Sequence, residues 1–145
     1  LLDSVPLAVF AHNVECVPRL DGMVRDPRAS FAQSLEVLRR AKQLRPDLWT
    51  KSSIMVGLGE ADAEVLDAMH QLRSVNVELL TLGQYLAPGK PGTRYLPVER
   101  YVHPDTFASW QEAAYAMGFR GVASGPLVRS SYRAGMLMAE AQGRS

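Results

Sequence analysis

Short runs of consecutive apolar residues alternate along this chain with longer segments in which apolar residues recur every three or four positions. The runs at 5–10 (VPLAVF), 52–56 (SSIMV), 77–82 (VELLTL) and 121–128 (GVASGPLV) have strand length, and the first is continuous enough for a strand buried on both faces. Between them, Phe31, Leu35, Leu38, Ala41 and Leu44 form one helical stripe with Arg39, Arg40 and Lys42 turned away. Ser30 and Gln33 have capping-box spacing at its start, and Pro46 stops it. A second helix carries Val65, Leu66, Met69 and Leu72 inward and Glu64, Asp67 and Arg73 outward, with Asp62 as its expected cap. A third begins at Pro104, runs through Phe107, Trp110, Ala114 and Met117, and ends at Gly118. A last short helix is expected over 134–141. Strand and helix thus alternate, which predicts an α/β fold of parallel strands with helices packed outside.

In such folds ligands bind at the C-terminal ends of the strands, and the polar clusters of this chain gather at those ends. His12, Asn13 and Glu15 follow the first strand, Gly57-Leu58-Gly59-Glu60 the second, Gly83-Gln84-Tyr85 the third and Arg129-Ser130-Ser131-Tyr132 the fourth. The glycines of the second cluster permit close backbone approach to a ligand. Ser130 or Ser131 has two readings, as the cap of the following helix or as a functional hydroxyl. Pro88-Gly89-Lys90-Pro91-Gly92 can only be a loop. Four parallel strands cannot close a barrel, so the chain is expected to be part of something larger.

Composition narrows the chemistry. With 47% apolar and 21% charged residues the chain is globular, and its net charge of +1 gives no field for a nucleic acid. No apolar stretch approaches the ~20 residues that span a bilayer. Cys16 is alone, so it makes neither an internal disulfide nor a thiolate cluster, which suits a reducing compartment and a small packed side chain. His12, His70 and His103 are too dispersed for a three-histidine metal site, and neither a Walker loop, a third glycine after Gly57-Leu58-Gly59 nor a Gly-x-Ser-x-Gly elbow is present. A stand-alone module that holds an anion on Arg129 and the neighbouring hydroxyls remains an alternative to redox chemistry.

Five stretches taken together resemble one enzyme family: 10–15 (FAHNVE), 24–29 (VRDPRA), 51–60 (KSSIMVGLGE), 82–85 (LGQY) and 123–132 (ASGPLVRSSY). In order and spacing they are similar to the C-terminal half of lipoyl synthase. The resemblance implies that residues 1–128 are the C-terminal half of a (β/α)6 partial barrel of radical S-adenosylmethionine type, and that 129–145 form an RSSY segment with a short tail helix. It implies an enzyme that inserts two sulfur atoms at carbons 6 and 8 of an octanoyl chain on a lysine of a carrier protein. Two 4Fe-4S clusters and S-adenosylmethionine are the implied cofactors. Ser130 maps onto the serine ligand of the auxiliary cluster, with Arg129, Ser131 and Tyr132 in support, while Asn13, Glu15, Lys51, Gly57, Gly59, Glu60 and Gln84 fall where the adenosyl cofactor would bind. Implied partners are octanoylated lipoyl domains of 2-oxoacid dehydrogenases, the glycine cleavage H protein and a donor such as ferredoxin or flavodoxin, with neither nucleic acid nor membrane. The cluster cysteines of the family lie outside this chain, which alone is expected to be inactive. Ala11 and Cys16 replace the Asn and Thr common in the family, and 87–96 is longer than usual. Residues 25–29 and 123–126 favour mitochondria, with plastid or bacterial cytoplasm as alternatives.

Overall fold

The computed structural model describes residues 9–24, 30–87, 96–130 and Leu137. The chain passes through β1 (Val9–Ala11), a 3-10 turn (Pro18–Leu20), α1 (Asp21–Val24), α2 (Phe31–Leu44), β2 (Trp49–Val56), α3 (Asp62–Ser74), β3 (Leu79–Gln84), α4 (Pro104–Met117) and β4 (Gly121–Gly125). The strands form one sheet in the order β1-β2-β3-β4, and each neighbouring pair is parallel. In this sequential order α2, α3 and α4 pack on the same side of the sheet, as in a barrel and unlike a doubly wound sheet. This is the α/β partial-barrel arrangement expected from the sequence.

Local caps set the helix ends. Ser30 Oγ accepts from Gln33 N at 3.1 Å at the start of α2. Pro104 opens α4, and Gly118 closes it at φ 106, where a side chain would be strained. At α3 the expected cap is displaced by one residue: Ala61 is the N-cap and Asp62 the first helical residue. The Asp62 carboxylate instead accepts the indole N–H of Trp110 at 2.5 Å, joining α3 to α4.

Strand ends differ more from expectation, because ladder partners rather than local residues decide them. β2 begins at Trp49, three residues before the apolar run suggests, and β3 runs from Leu79 to Gln84 instead of 77–82. β4 stops at Gly125, since Pro126 has no N–H for the ladder and 126–127 turn away. β1 is half-buried to exposed rather than buried on both faces, because it is an edge and the helices cover only one side. Residues 5–8 and the expected helix over 134–141, Leu137 excepted, lie outside the described residues.

The parallel register sorts the side chains into two faces. Ile54, Val56, Leu80, Leu82 and Val122 point outward into the main core, where they meet Phe31 and Leu38 of α2, Val65, Met69 and Leu72 of α3, and Phe107, Trp110 and Ala114 of α4. The other face holds Trp49, Lys51, Ser53 and Met55 of β2, aligned with Leu79, Thr81 and Gly83 of β3 and with Gly121, Ala123 and Gly125 of β4. At the strand starts, Trp49, Leu79, Ala123 and Leu137 close this inner face as a second apolar cluster. Toward the strand ends its residues become polar or shrink to glycine. No described helix is long and apolar enough to cross a membrane.

Candidate functional site

A cavity of about 340 Å³ opens at the C-terminal ends of the strands. Ser53, Met55, Thr81 and Gly83 form its inner wall, and Glu15, Gln84, Val128, Arg129 and Ser130 lie around it. The hydroxyls of Ser53 and Thr81, neighbours across β2 and β3, hydrogen-bond to each other. Sequence reasoning passed over both, although each is a hydroxyl on the inner-facing alternation of an otherwise apolar strand.

Residues 126–130 fold back over the inner face. Val128 N donates to Gly125 O at 3.2 Å, and the chain then crosses Gly83 so closely that a Cβ there would collide with Val128 O. Beyond this crossing Nζ of Lys51, a residue only 2% exposed, donates to Ser130 O at 2.8 Å. Burial lowers the Lys51 pKa from its ordinary 10.5, since desolvation penalises the ammonium. Ser130 is itself exposed, and no described residue hydrogen-bonds its hydroxyl. Arg129 is exposed too, and its Nη1 donates to Pro126 O (3.4 Å) and Val128 O (3.2 Å). Ser131 and Tyr132 lie outside the described residues.

Glu15 continues the parallel ladder past β1: its N donates to Ser53 O at 3.1 Å and its carbonyl accepts from Met55 N at 2.7 Å. It does so at φ 75, a left-handed conformation that costs a non-glycine residue about 1 kcal/mol and concentrates at ligand sites. Its carboxylate has no partner among the described residues. Asn13 is half-buried beside it and does not line the cavity.

The Gly57-Leu58-Gly59-Glu60 turn lies apart from the cavity lining and is satisfied internally. The buried Glu60 carboxylate accepts from Gly57 N (3.0 and 3.1 Å) and Leu58 N (3.0 Å), with Arg100 at 3.7 Å. Gly57, at φ 94, leaves room for the Gln84 amide and for Arg100 O. Gln84 in turn donates to Arg100 O and Tyr85 O, both at 2.9 Å, and accepts from Val102 N at 2.8 Å. Gly59 is exposed, and its carbonyl accepts from Arg19 at 2.9 Å. Of the sequence-selected residues, the fold therefore brings Glu15, Gln84, Arg129 and Ser130 to one cavity and ties Lys51 to Ser130 from below.

The donor set bears on metal chemistry. Cys16 is fully buried near Asp21, and the described residues include no group of three or more His, Cys, Asp or Glu able to hold a metal ion. Ser130 can contribute one oxygen ligand, and among the described residues no set that would complete an iron–sulfur cluster accompanies it.

No protein-family model matches the chain. Among curated proteins it is 56% identical over 131 residues to the chloroplastic lipoyl synthase of Ricinus communis, covering 90% of this chain and 35% of that protein. It is 55% identical over 139 residues to the chloroplastic lipoyl synthase 1 of Zea mays, covering 96% of this chain and 38% of the relative. Against the mitochondrial lipoyl synthase of Rattus norvegicus it is 56% identical over 129 residues, with coverages of 89% and 34%. The chain spans about a third of the length of these relatives, less than the half expected from its motifs. Over nine-tenths of its own length it is homologous to about one third of a lipoyl synthase.

Proposed function

We propose that this chain forms part of the reaction-cavity wall of a lipoyl synthase acting in lipoate biosynthesis. The protein that contains it would insert sulfur at carbons 6 and 8 of a protein-bound octanoyl-lysine, on lipoyl carrier domains. The observation that carries this reading is Ser130, which lies at a cavity at the strand ends and whose hydroxyl has no partner among the described residues. Ser130 would supply the oxygen ligand of an auxiliary 4Fe-4S cluster, with thiolates from outside this chain. That cluster would serve as the sulfur source. An alkoxide is a harder donor than thiolate, so Ser130 would hold its iron less firmly than thiolates hold theirs. Glu15, whose carboxylate has no partner among the described residues, lines the cavity and would accept hydrogen bonds from ribose hydroxyls of S-adenosylmethionine. Glu60 and Gln84 would act indirectly, by fixing the loop ends around it. Relatives named for both mitochondria and chloroplasts support an organellar location.

The test is Ser130→Ala in the intact protein, followed by iron and sulfide content and by sulfur insertion into an octanoylated lipoyl domain. Insertion is expected to fall at least ~100-fold, the scale on which a displaced reacting group is felt. Full insertion by the Ala variant, or an intact protein that binds no more than one cluster, would sink the proposal.

A further inference from the structure

Lys51 offers three N–H donors, and among the described residues Ser130 O is its hydrogen-bond acceptor. A lysine on the inner face of a central strand is unusual, because burying an ammonium is costly unless it is bound to something. What it is bound to here lies 79 residues further along the chain, in the segment that carries the proposed ligand oxygen. Its neighbours across the ladder are Ala11 and Leu79, neither of which can partner an ammonium.

From this geometry we infer that Lys51 is the positioning residue for Ser130: its ammonium fixes the Ser130 carbonyl, and through it the direction of the Ser130 hydroxyl. This deepens the proposed function and rests on it for the ligand role alone; the anchor itself is a property of the chain. Two contacts then define the path of 126–130. At Gly83 the absence of a side chain lets the Val128 carbonyl lie against the sheet, and two residues later Lys51 ties down the Ser130 carbonyl. A ligand oxygen must be held to within about half an ångström to be productive, and an exposed loop residue reaches that only when its backbone is fixed. The proline and the two-residue turn at 126–127 do not provide this, since they set where the segment leaves β4 and not where it ends.

Amide hydrogen exchange of the intact protein, without clusters, reads the anchor directly. In Lys51→Met, exchange across 126–130 is expected to accelerate by about tenfold, the factor that loss of one hydrogen bond of ordinary net strength gives, while α3 and β3 keep their protection. Lys51→Arg, which can still donate to the carbonyl, should restore most of it. Unchanged exchange at 126–130 in Lys51→Met overturns the inference, and so does equal acceleration throughout the sheet, which would report a general loss of stability. The ligand role is read separately by Mössbauer spectroscopy of the reconstituted protein. Lys51→Met should perturb the same iron site that Ser130→Ala perturbs and leave the other cluster unaltered. If Ser130→Ala leaves every iron site as in the native protein while exchange responds to Lys51, the anchor stands and the cluster-ligand reading falls.

Discussion

Gly83 is a glycine because of a residue 45 positions away. The Val128 carbonyl takes the place where its Cβ would be, so Gly83→Ala must push 126–130 off the sheet or bend β3. Overpacking of this kind costs ~1–3 kcal/mol, and the expected result is a lower thermal midpoint together with faster exchange at 126–130. A variant as stable as the native protein, with that segment still protected, would contradict the crossing. Gly57 teaches the converse. Its place before Leu58-Gly59-Glu60 invites a reading as a cradle for a ligand, yet the space it leaves is filled by the Gln84 amide and, at 2.6 Å from a Cβ, by Arg100 O. Close backbone approach was legible at Gly57 but not at Gly83, and at neither position was the occupant of the vacated space legible, because it comes from a distant part of the chain. Ser53 and Thr81 were missed for a related reason: in an apolar run a hydroxyl reads as tolerated until the register shows it facing an identical group.

Among the elements, α2, α3 and α4 were legible to within a residue, whereas the short α1 and the strand ends were not. Ser30, Pro104 and Gly118 act on the backbone beside them, so their meaning is local, while Trp49–Val56 extends as far as β1 and β3 offer partners. The start of α3 shows how a cap can be assembled without a capping side chain. Glu64 reaches back to Ala61 N at 2.8 Å and is gripped by Arg19 of the 3-10 turn at 2.8 and 2.9 Å. The Arg19 hydrogen bond first, and the Ala61 N–H after it, lower the Glu64 carboxyl from 4.5 to about 2. A depressed folded-state value stabilises the fold above the unfolded value and is lost as pH falls through the folded one. The contribution of Glu64 is therefore complete above about 4.5 and fades toward about 2. Glu64→Gln should remove this part of the acid dependence and leave the neutral-pH midpoint only slightly lowered, since Arg19 is exposed and Glu64 half-buried, so that water screens the pair. Thermal midpoints measured across that interval would reveal an error as two parallel curves.

At the scale of the molecule, alternation of strand and helix announces a parallel sheet but does not distinguish an open doubly wound sheet from a segment of barrel. The sequential strand order resolves this, and with it which sheet face is left for ligands. All of α2, α3 and α4 cover one face, so the other depends on the chain's own later residues, and Leu137 packs there against Trp49 and Leu79. Leu137→Ala should cost ~2–5 kcal/mol as a buried leucine truncation, visible as a lower midpoint of chemical unfolding. An unchanged midpoint would mean that Leu137 does not close that end. The position of Leu137 was not readable in advance, because a leucine near the end of the chain carries no label for the surface it will meet. The closure also gives the inner face a direction. Of the described residues, those at the strand starts make the inner face apolar, with Trp49, Leu79, Ala123 and Leu137, and those at the strand ends make it polar, with Ser53, Thr81 and Ser130, so a guest with one greasy and one polar end has its orientation chosen before any chemistry begins.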